Sequence, residues 1–204
     1  MPIKKVEVSI TTTSVYRTSE GGPPITTPKI TLNGDPLPAP KSPAYTPTGL
    51  QLVVFDAHRD MTKPEGILRN EYILITNDHG KWSSTYTRSW TQMVRNLLLT
   101  GDVNAQIVFL ATYGIDVNMG PTNEAIETLF ELGGGTKLQY WGLHSVPGQQ
   151  PDTPGTYVEN PASYVLIGYS SFKYGQGYEA YDSPGGRAPA TTTLTATLNN
   201  IVPG

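Results

Sequence analysis

Leu50–Asp56 reads LQLVVFD, a short apolar run closed by an aspartate. Gly49 precedes it and a polar turn follows, so its length and Val/Leu content predict a buried strand rather than a helix. Two further runs share that character, Ala105–Thr112 (AQIVFLAT) and Ala162–Tyr169 (ASYVLIGY). Between the first and the third, Ser89–Leu99 has helical period. Trp90, Met93, Val94, Leu97 and Leu98 fall on one face, with Ser89 placed to cap and Gly101 to stop it. A second helix is expected after Pro121, with Ala125, Ile126, Leu129 and Phe130 inward and Gly133–Gly135 ending it. Three covered strands with two amphipathic helices between them define one α+β domain.

The flanks read differently. Lys4–Tyr16 alternates (Val6, Val8, Ile10 against Glu7, Ser9, Thr11) and predicts a strand. Lys29–Leu32 predicts a second, before an Asn33-Gly34 turn. Asp35–Gly49 carries Pro36, Pro38, Pro40, Pro43 and Pro47. At about 3.1 Å per residue in polyproline II, it would make a semi-rigid spacer on the order of 40 Å long. Asn70–Thr76 and Trp82–Arg88 are expected to form a hairpin around Asn77–Gly80, and Leu138–Leu143 a further strand. Ser145–Pro161 reads as a long loop. Thr191–Leu198 is polar and β-prone, and could pair with the N-terminal strand. The expected division is a strand and Pro-rich arm over 1–48, a globular domain over 49–182 and a C-terminal strand and tail over 183–204. Val6, Val8, Ile10, Leu194 and Leu198 are the expected anchors docking these arms on another chain, by strand addition or by intertwining of copies.

Composition narrows the function classes. Charged residues are 15% of the 204, against roughly 25% in typical soluble domains. With 21 glycines, 18 prolines and abundant threonine, the chain reads as β-rich with much extended backbone. A net charge of −3 without clustered Lys or Arg gives no electrostatic footprint for nucleic acid. The absence of cysteine excludes disulfides, thiolate metal sites and a cysteine nucleophile. The N-terminus lacks the apolar core of a signal peptide, and no run reaches membrane-spanning length. The expectation is synthesis in a host cytoplasm, no membrane insertion, no cofactor, and an outside location only within an assembly.

Asp56-Ala57-His58-Arg59-Asp60 is the most metal-like stretch, since alternation would put Asp56, His58 and Asp60 on one side. It is similar to the D-x-H opening of binuclear phosphoesterases, but no GD-x-x-D or GNH pattern follows; only Asp78-His79 lies in a turn. The preferred reading is a strand end whose Asp56 caps the next turn, with no metal bound. His144-Ser145 lacks a G-x-S-x-G elbow. Glu124, Glu127 and Glu131 share a helix face that reads as solvated surface. The tyrosines weigh more. Tyr157, Tyr164, Tyr169, Tyr174, Tyr178 and Tyr181 crowd the C-terminal third with Phe172. Tyr169, Phe172, Tyr174, Tyr178 and Tyr181 are the candidate binding residues, for an interface or a glycan. Cross-strand packing is the competing account.

Taken in order, these residues resemble the interleukin-like epithelial–mesenchymal transition inducer family, the cytokine-like group that also includes the pancreatic-derived factor. The likeness runs over Gly49–Asp182. Its specific parts are QIVFLATYGID (Gln106–Asp116), NEAIETLFELGG (Asn123–Gly134) and SYVLIGYSSFK (Ser163–Lys173). The resemblance implies a compact β-sandwich-like α+β globule with short helices. Domains of this type also occur in glycan-handling proteins and in phage structural proteins, and the extra arms are more like the latter. The expected function is therefore a non-enzymatic structural or attachment protein of a phage-like particle, in its tail, baseplate or fibre region. Its expected partners are other virion proteins and copies of itself. A carbohydrate-binding module for host-surface glycan is the alternative, and a metal-dependent hydrolase the third reading.

Overall fold

The computed structural model describes residues 3–16, 26–40, 48–74, 82–144 and 160–201. Two antiparallel sheets and a layer of helices stack on one another. The outer sheet contains β1 (Ile3–Ser14), β2 (Lys29–Leu32), β3 (Asp35–Pro36) and β10 (Ala190–Ile201), in the order β10-β1-β2-β3. The central sheet is built from β4 (Gly49–Asp56), β5 (Ile67–Leu74), β6 (Gln106–Tyr113), β7 (Ile115–Asp116), β8 (Pro161–Tyr169) and β9 (Tyr178–Asp182). Its order is β5-β4-β6-β8, and β7 and β9 also pair with β8. Helices α1 (Trp82–Leu98), α2 (Asn123–Glu131) and α3 (Thr136–His144) complete the fold. The chain is a β-rich α+β protein.

The apolar runs follow from a sheet covered on both faces. Leu50, Leu52, Val54, Val108, Leu110 and Leu166 meet Trp90, Met93, Val94, Leu97, Leu129 and Trp141 from the helices. Their neighbours Val53, Phe55, Ile107, Phe109, Val165 and Ile167 meet Val6, Val8, Ile10, Ile30, Leu32 and Leu198 from the outer sheet. Strands β4, β6 and β8 sit between these two cores, which is why none of the three alternates with polar residues.

The outer sheet corrects the expected division into arms and domain. β1 and β10 pair with each other over twelve residues, from Ile3 opposite Ile201 to Ser14 opposite Ala190, the pairing the two threonine-rich stretches allowed. Their apolar side chains do not project toward another chain. Val6, Val8, Ile10 and Leu198 are buried against the chain's own central sheet, and Leu194 is half-buried there. The physical reason is that the second face of β4, β6 and β8 needs a cover, and the two end strands provide it. Polar links fasten this layer as well. The fully buried Asn200 accepts from the Met61 N–H at 3.0 Å and donates to the Arg59 carbonyl at 2.8 Å. Thr12 donates to the Thr112 carbonyl, and Ser14 accepts from the Ile115 N–H at 2.9 Å.

The start of the proline-rich segment also lies on the body. Asn33 and Gly34 take positive φ (53° and 86°), as the tight β2–β3 hairpin turn requires. Beyond it Leu37 packs on the outer core, and the Pro38 carbonyl accepts from Asn70 at 2.6 Å. Residues 41–47 of the expected spacer, and the expected turn at 77–80, lie outside the described residues.

Two expected strands are helices. Trp82–Arg88 forms the first half of α1, so Ser89 is a buried residue within that helix rather than its cap. Leu98 turns outward and is exposed, while Trp90, Met93, Val94 and Leu97 are buried. Leu138–Leu143 lies in α3, which is started from outside. The Glu179 carboxylate accepts from the Lys137 N–H (2.9 Å) and the Leu138 N–H (3.2 Å), satisfying two free donors at the helix N-terminus. Helix α2 is as expected, capped by Thr122, whose hydroxyl accepts from the Ala125 N–H at 3.2 Å.

Candidate functional site

At one end of the sandwich the chain leaves β8 at Tyr169, turns through Ser170–Gly177 and returns as β9. The turn is fastened at both ends. Ser170 donates its N–H to the Gln106 carbonyl and accepts from the Gln106 N–H through its hydroxyl, both at 3.0 Å. Gly175 and Gly177 donate to the carbonyls of Gly134 and Gly133 at 3.0 and 2.8 Å. Gly133 has φ 98°, and a Cβ there would run into the backbone of Gly177. The triple glycine thus stops α2 and lets a second loop lie directly on it.

Above this turn lies an open cleft of about 450 Å³. Tyr169, Phe172 and Tyr178 give it aromatic walls; His58, Asn104 and Asn199 bring an imidazole and two amides. Thr197 and Leu198 of β10 form part of the rim. The Tyr169 and Phe172 rings lie 4.6 Å apart. Burial, together with the neighbouring Tyr178, pushes the Tyr169 hydroxyl up to about 12, so it remains a neutral donor at physiological pH. No Asp, Glu, Lys or Arg is among the described lining residues. Such a surface can stack against a flat or apolar group and hydrogen-bond uncharged polar atoms.

Of the five aromatic candidates, the structure brings three together here: Tyr169, Phe172 and Tyr178. Tyr174 is exposed outside the cleft, edge-on to Phe130 at 4.8 Å, with its hydroxyl donating to Gln139 at 2.9 Å. Tyr181 belongs to the helix-side core instead, its ring 5.7 Å from Trp141 and 6.1 Å from Tyr140. Tyr164 is fully buried and donates to Glu179 at 3.1 Å; burial and that carboxylate push its hydroxyl well above the ordinary tyrosine value. Tyr157 lies outside the described residues.

The metal-like stretch is used locally. Asp56 accepts from the His58 N–H at 2.9 Å and pairs with Arg59 at 3.1 Å. Asp60 accepts from the Thr62 hydroxyl at 2.7 Å and pairs with Lys4 at 2.9 Å. Burial would raise the Asp60 carboxyl, but the Thr62 and Lys4 hydrogen bonds and the Lys4 charge outweigh it and hold it at about 2. Among the described residues, no three His, Asp or Glu side chains converge as metal ligands. His58 instead lines the cleft. Glu124, Glu127 and Glu131 are exposed along α2. Ser145, Asp78, His79 and the His144 side chain lie outside the described residues.

Sequence reading missed Asn104, Ser170 and Asn199 as cleft residues. They come from a turn, a strand end and the last strand, and no local spacing links them. The local signal they leave is the Asn199-Asn200 pair within an otherwise Thr- and Leu-rich strand. No family model matches the sequence, and neither a curated protein nor a solved structure matches it.

Proposed function

We propose that the chain is a non-enzymatic structural and attachment protein of a phage-like particle, in its tail, baseplate or fibre region. It would meet neighbouring proteins at the end of the sandwich that carries the cleft. The observation that carries this reading is the cleft itself: aromatic, open, without Asp, Glu, Lys or Arg among its described lining residues, and fixed by two interlocked loops. Rigid aromatic surface of this kind makes contact area at little entropic cost, as protein interfaces require. The particle setting is supported by the sequence resemblance and by the Thr- and Pro-rich, weakly charged composition. The test is to purify particles from a producing culture on a density gradient and probe them for this chain. The expected result is co-sedimentation in fixed proportion to the other particle proteins, reduced when Tyr178→Ala and Phe172→Ala are combined. Finding the chain only in particle-free fractions refutes the proposal.

A second reading is favoured by the same lining. Aromatic rings beside an imidazole and two amides suit a neutral sugar, which needs a stacking face and directional hydrogen bonds. Glycan-array binding by the full chain, abolished by Tyr178→Ala, would establish host-surface carbohydrate as the ligand. No binding to any arrayed glycan would leave the protein-interface reading alone.

A further inference from the structure

β10 stands at the edge of the outer sheet, beside β1. Glu7 of β1 exchanges hydrogen bonds with Asn33, accepting from its N–H at 2.7 Å and donating to its side chain at 2.8 Å, so odd residues of β1 point toward β2. Even residues of β1 therefore bond β10, and they face even residues there: Val8 opposite Ala196, Ile10 opposite Leu194. The odd residues of β10 turn their N–H and C=O outward. Thr191 fits this, since its N–H leaves β1 to donate to Asp182 at 2.7 Å. Beyond it, Thr193, Thr195, Thr197 and Asn199 present a row of outward backbone groups. Among the described residues none of these has a backbone partner.

Long bare edges are usually guarded by charge, proline, a bulge or shortness. The other edges here are. β3 has two residues, one of them Pro36; β5 carries Arg69 and Glu71 and faces a bulge at Val54/Phe55; β9 has five residues, among them Glu179 and Asp182. β10 has twelve residues with no charge, no proline and a continuous register. Its sequence is also nearly the same in both directions about Ala196. Leu194-Thr195-Ala196-Thr197-Leu198 is a palindrome, flanked by Thr193 and Asn199. A two-fold axis through an antiparallel strand pair sets each residue opposite its counterpart across the axis, so a palindrome places like opposite like.

We propose that β10 pairs with β10 of a second copy of this chain, antiparallel, with the two-fold axis at Ala196. Thr195 then faces Thr197 of the second copy, Leu194 faces Leu198, and Thr193 faces Asn199. The outward groups of these odd residues make roughly eight backbone hydrogen bonds, since each narrow pair exchanges two. Like meets like on both sides of the joined sheet: threonine hydroxyls on the outer face, leucines on the inner one. Leu194 of the second copy covers Leu198 at the rim of the cleft. The two outer sheets become one, with the axis through its middle. The proposal does not depend on the particle setting.

Light scattering and sedimentation of the full chain over a range of concentrations should give twice the 22.1 kDa chain mass. Thr195→Pro removes only an outward N–H and no bond to β1, so it should reduce the mass to that of one chain while keeping the cooperative melt. Because the chain has no cysteine, Ala196→Cys places one thiol on the axis. It should oxidise to a covalent dimer far faster than Thr193→Cys, whose counterpart lies across from Asn199. This cysteine comparison decides the matter even if the proline variant fails to fold. A chain that is monomeric throughout, a dimer untouched by Thr195→Pro, or equal cross-linking at 193 and 196 would each overturn the proposal. Pairing of β10 with a different protein would appear as the first of these.

Discussion

Removing residues 1–48 should abolish the native fold rather than release an independent domain. The deletion takes away β1, β2 and β3, and with them Val6, Val8, Ile10, Ile30 and Leu32. Beneath them Val53, Phe55, Ile107, Phe109, Val165 and Ile167 are at most 1% exposed. At about 1.5–3 kcal/mol for each buried side chain, uncovering six of them forfeits roughly 9–18 kcal/mol. That is an upper bound, because Leu198 remains and unfolded chains are partly compact. It is comparable to the roughly 5–15 kcal/mol that holds an ordinary domain together. The assay is thermal unfolding followed by calorimetry and near-ultraviolet circular dichroism, with dye binding to report exposed apolar surface. Ile10→Ala in the full chain gives the graded version, at about 2–5 kcal/mol. A 49–204 fragment that melts cooperatively and binds no dye would refute the reasoning, and the outer sheet would then be an ornament on a self-sufficient domain.

Leu129→Ala should cost about 2–5 kcal/mol in denaturant unfolding, because Leu129 is fully buried between α2 and the central sheet. Gly133→Ala should lower the melting temperature and speed exchange of the Gly175 and Gly177 amides, the left-handed backbone alone costing about 1–3 kcal/mol; unchanged exchange would mean that the two loops are not interlocked. Asp60 predicts an acid effect. Its folded value, held at about 2 against 3.8, adds stability above pH 4 that is lost as pH falls toward 2. Asp60→Asn should flatten that part of the stability–pH curve and cost about 1 kcal/mol near neutrality, given its partial exposure to solvent screening. Equal acid sensitivity in the variant would place the effect elsewhere.

The parts legible in the sequence were those whose environment is uniform. β4, β6 and β8 are covered on both faces, so burial wrote itself as unbroken apolar runs. α2 was announced by Pro121 and carried its own stop at Gly133. α3 was not legible, because the group that starts it, Glu179, lies more than forty residues further along. Trp82–Arg88 mixes aromatic, Ser and Thr residues that suit a strand locally, and only its continuation into Trp90–Leu97 makes it helical. In β1 the alternation of Val6, Val8 and Ile10 was visible, but alternation reports one buried face and not what covers it. The cleft gave no local pattern, since His58, Asn104, Tyr169, Tyr178 and Asn199 come from five separate places. Crowding alone singled out Tyr169, Phe172 and Tyr178, and it also drew in Tyr174, which lies outside the cleft, and Tyr181, a core residue.

Pairing β1 with β10 has a consequence for the order in which the protein can assemble. Thr11 and Thr193 are neighbours in space and 182 positions apart along the chain. Contacts of that separation raise contact order and slow folding, because a long loop must close before the contact repays it. On a ribosome, β4, β6 and the helices emerge while the strand that completes the outer sheet is still unsynthesised. One side of the nascent sheet, with Phe55 and Phe109 at its middle, then waits with only β1 and the short β2 to shield it. The outer sheet cannot be completed before β10 arrives, and until then the chain exposes the kind of surface that chaperones bind.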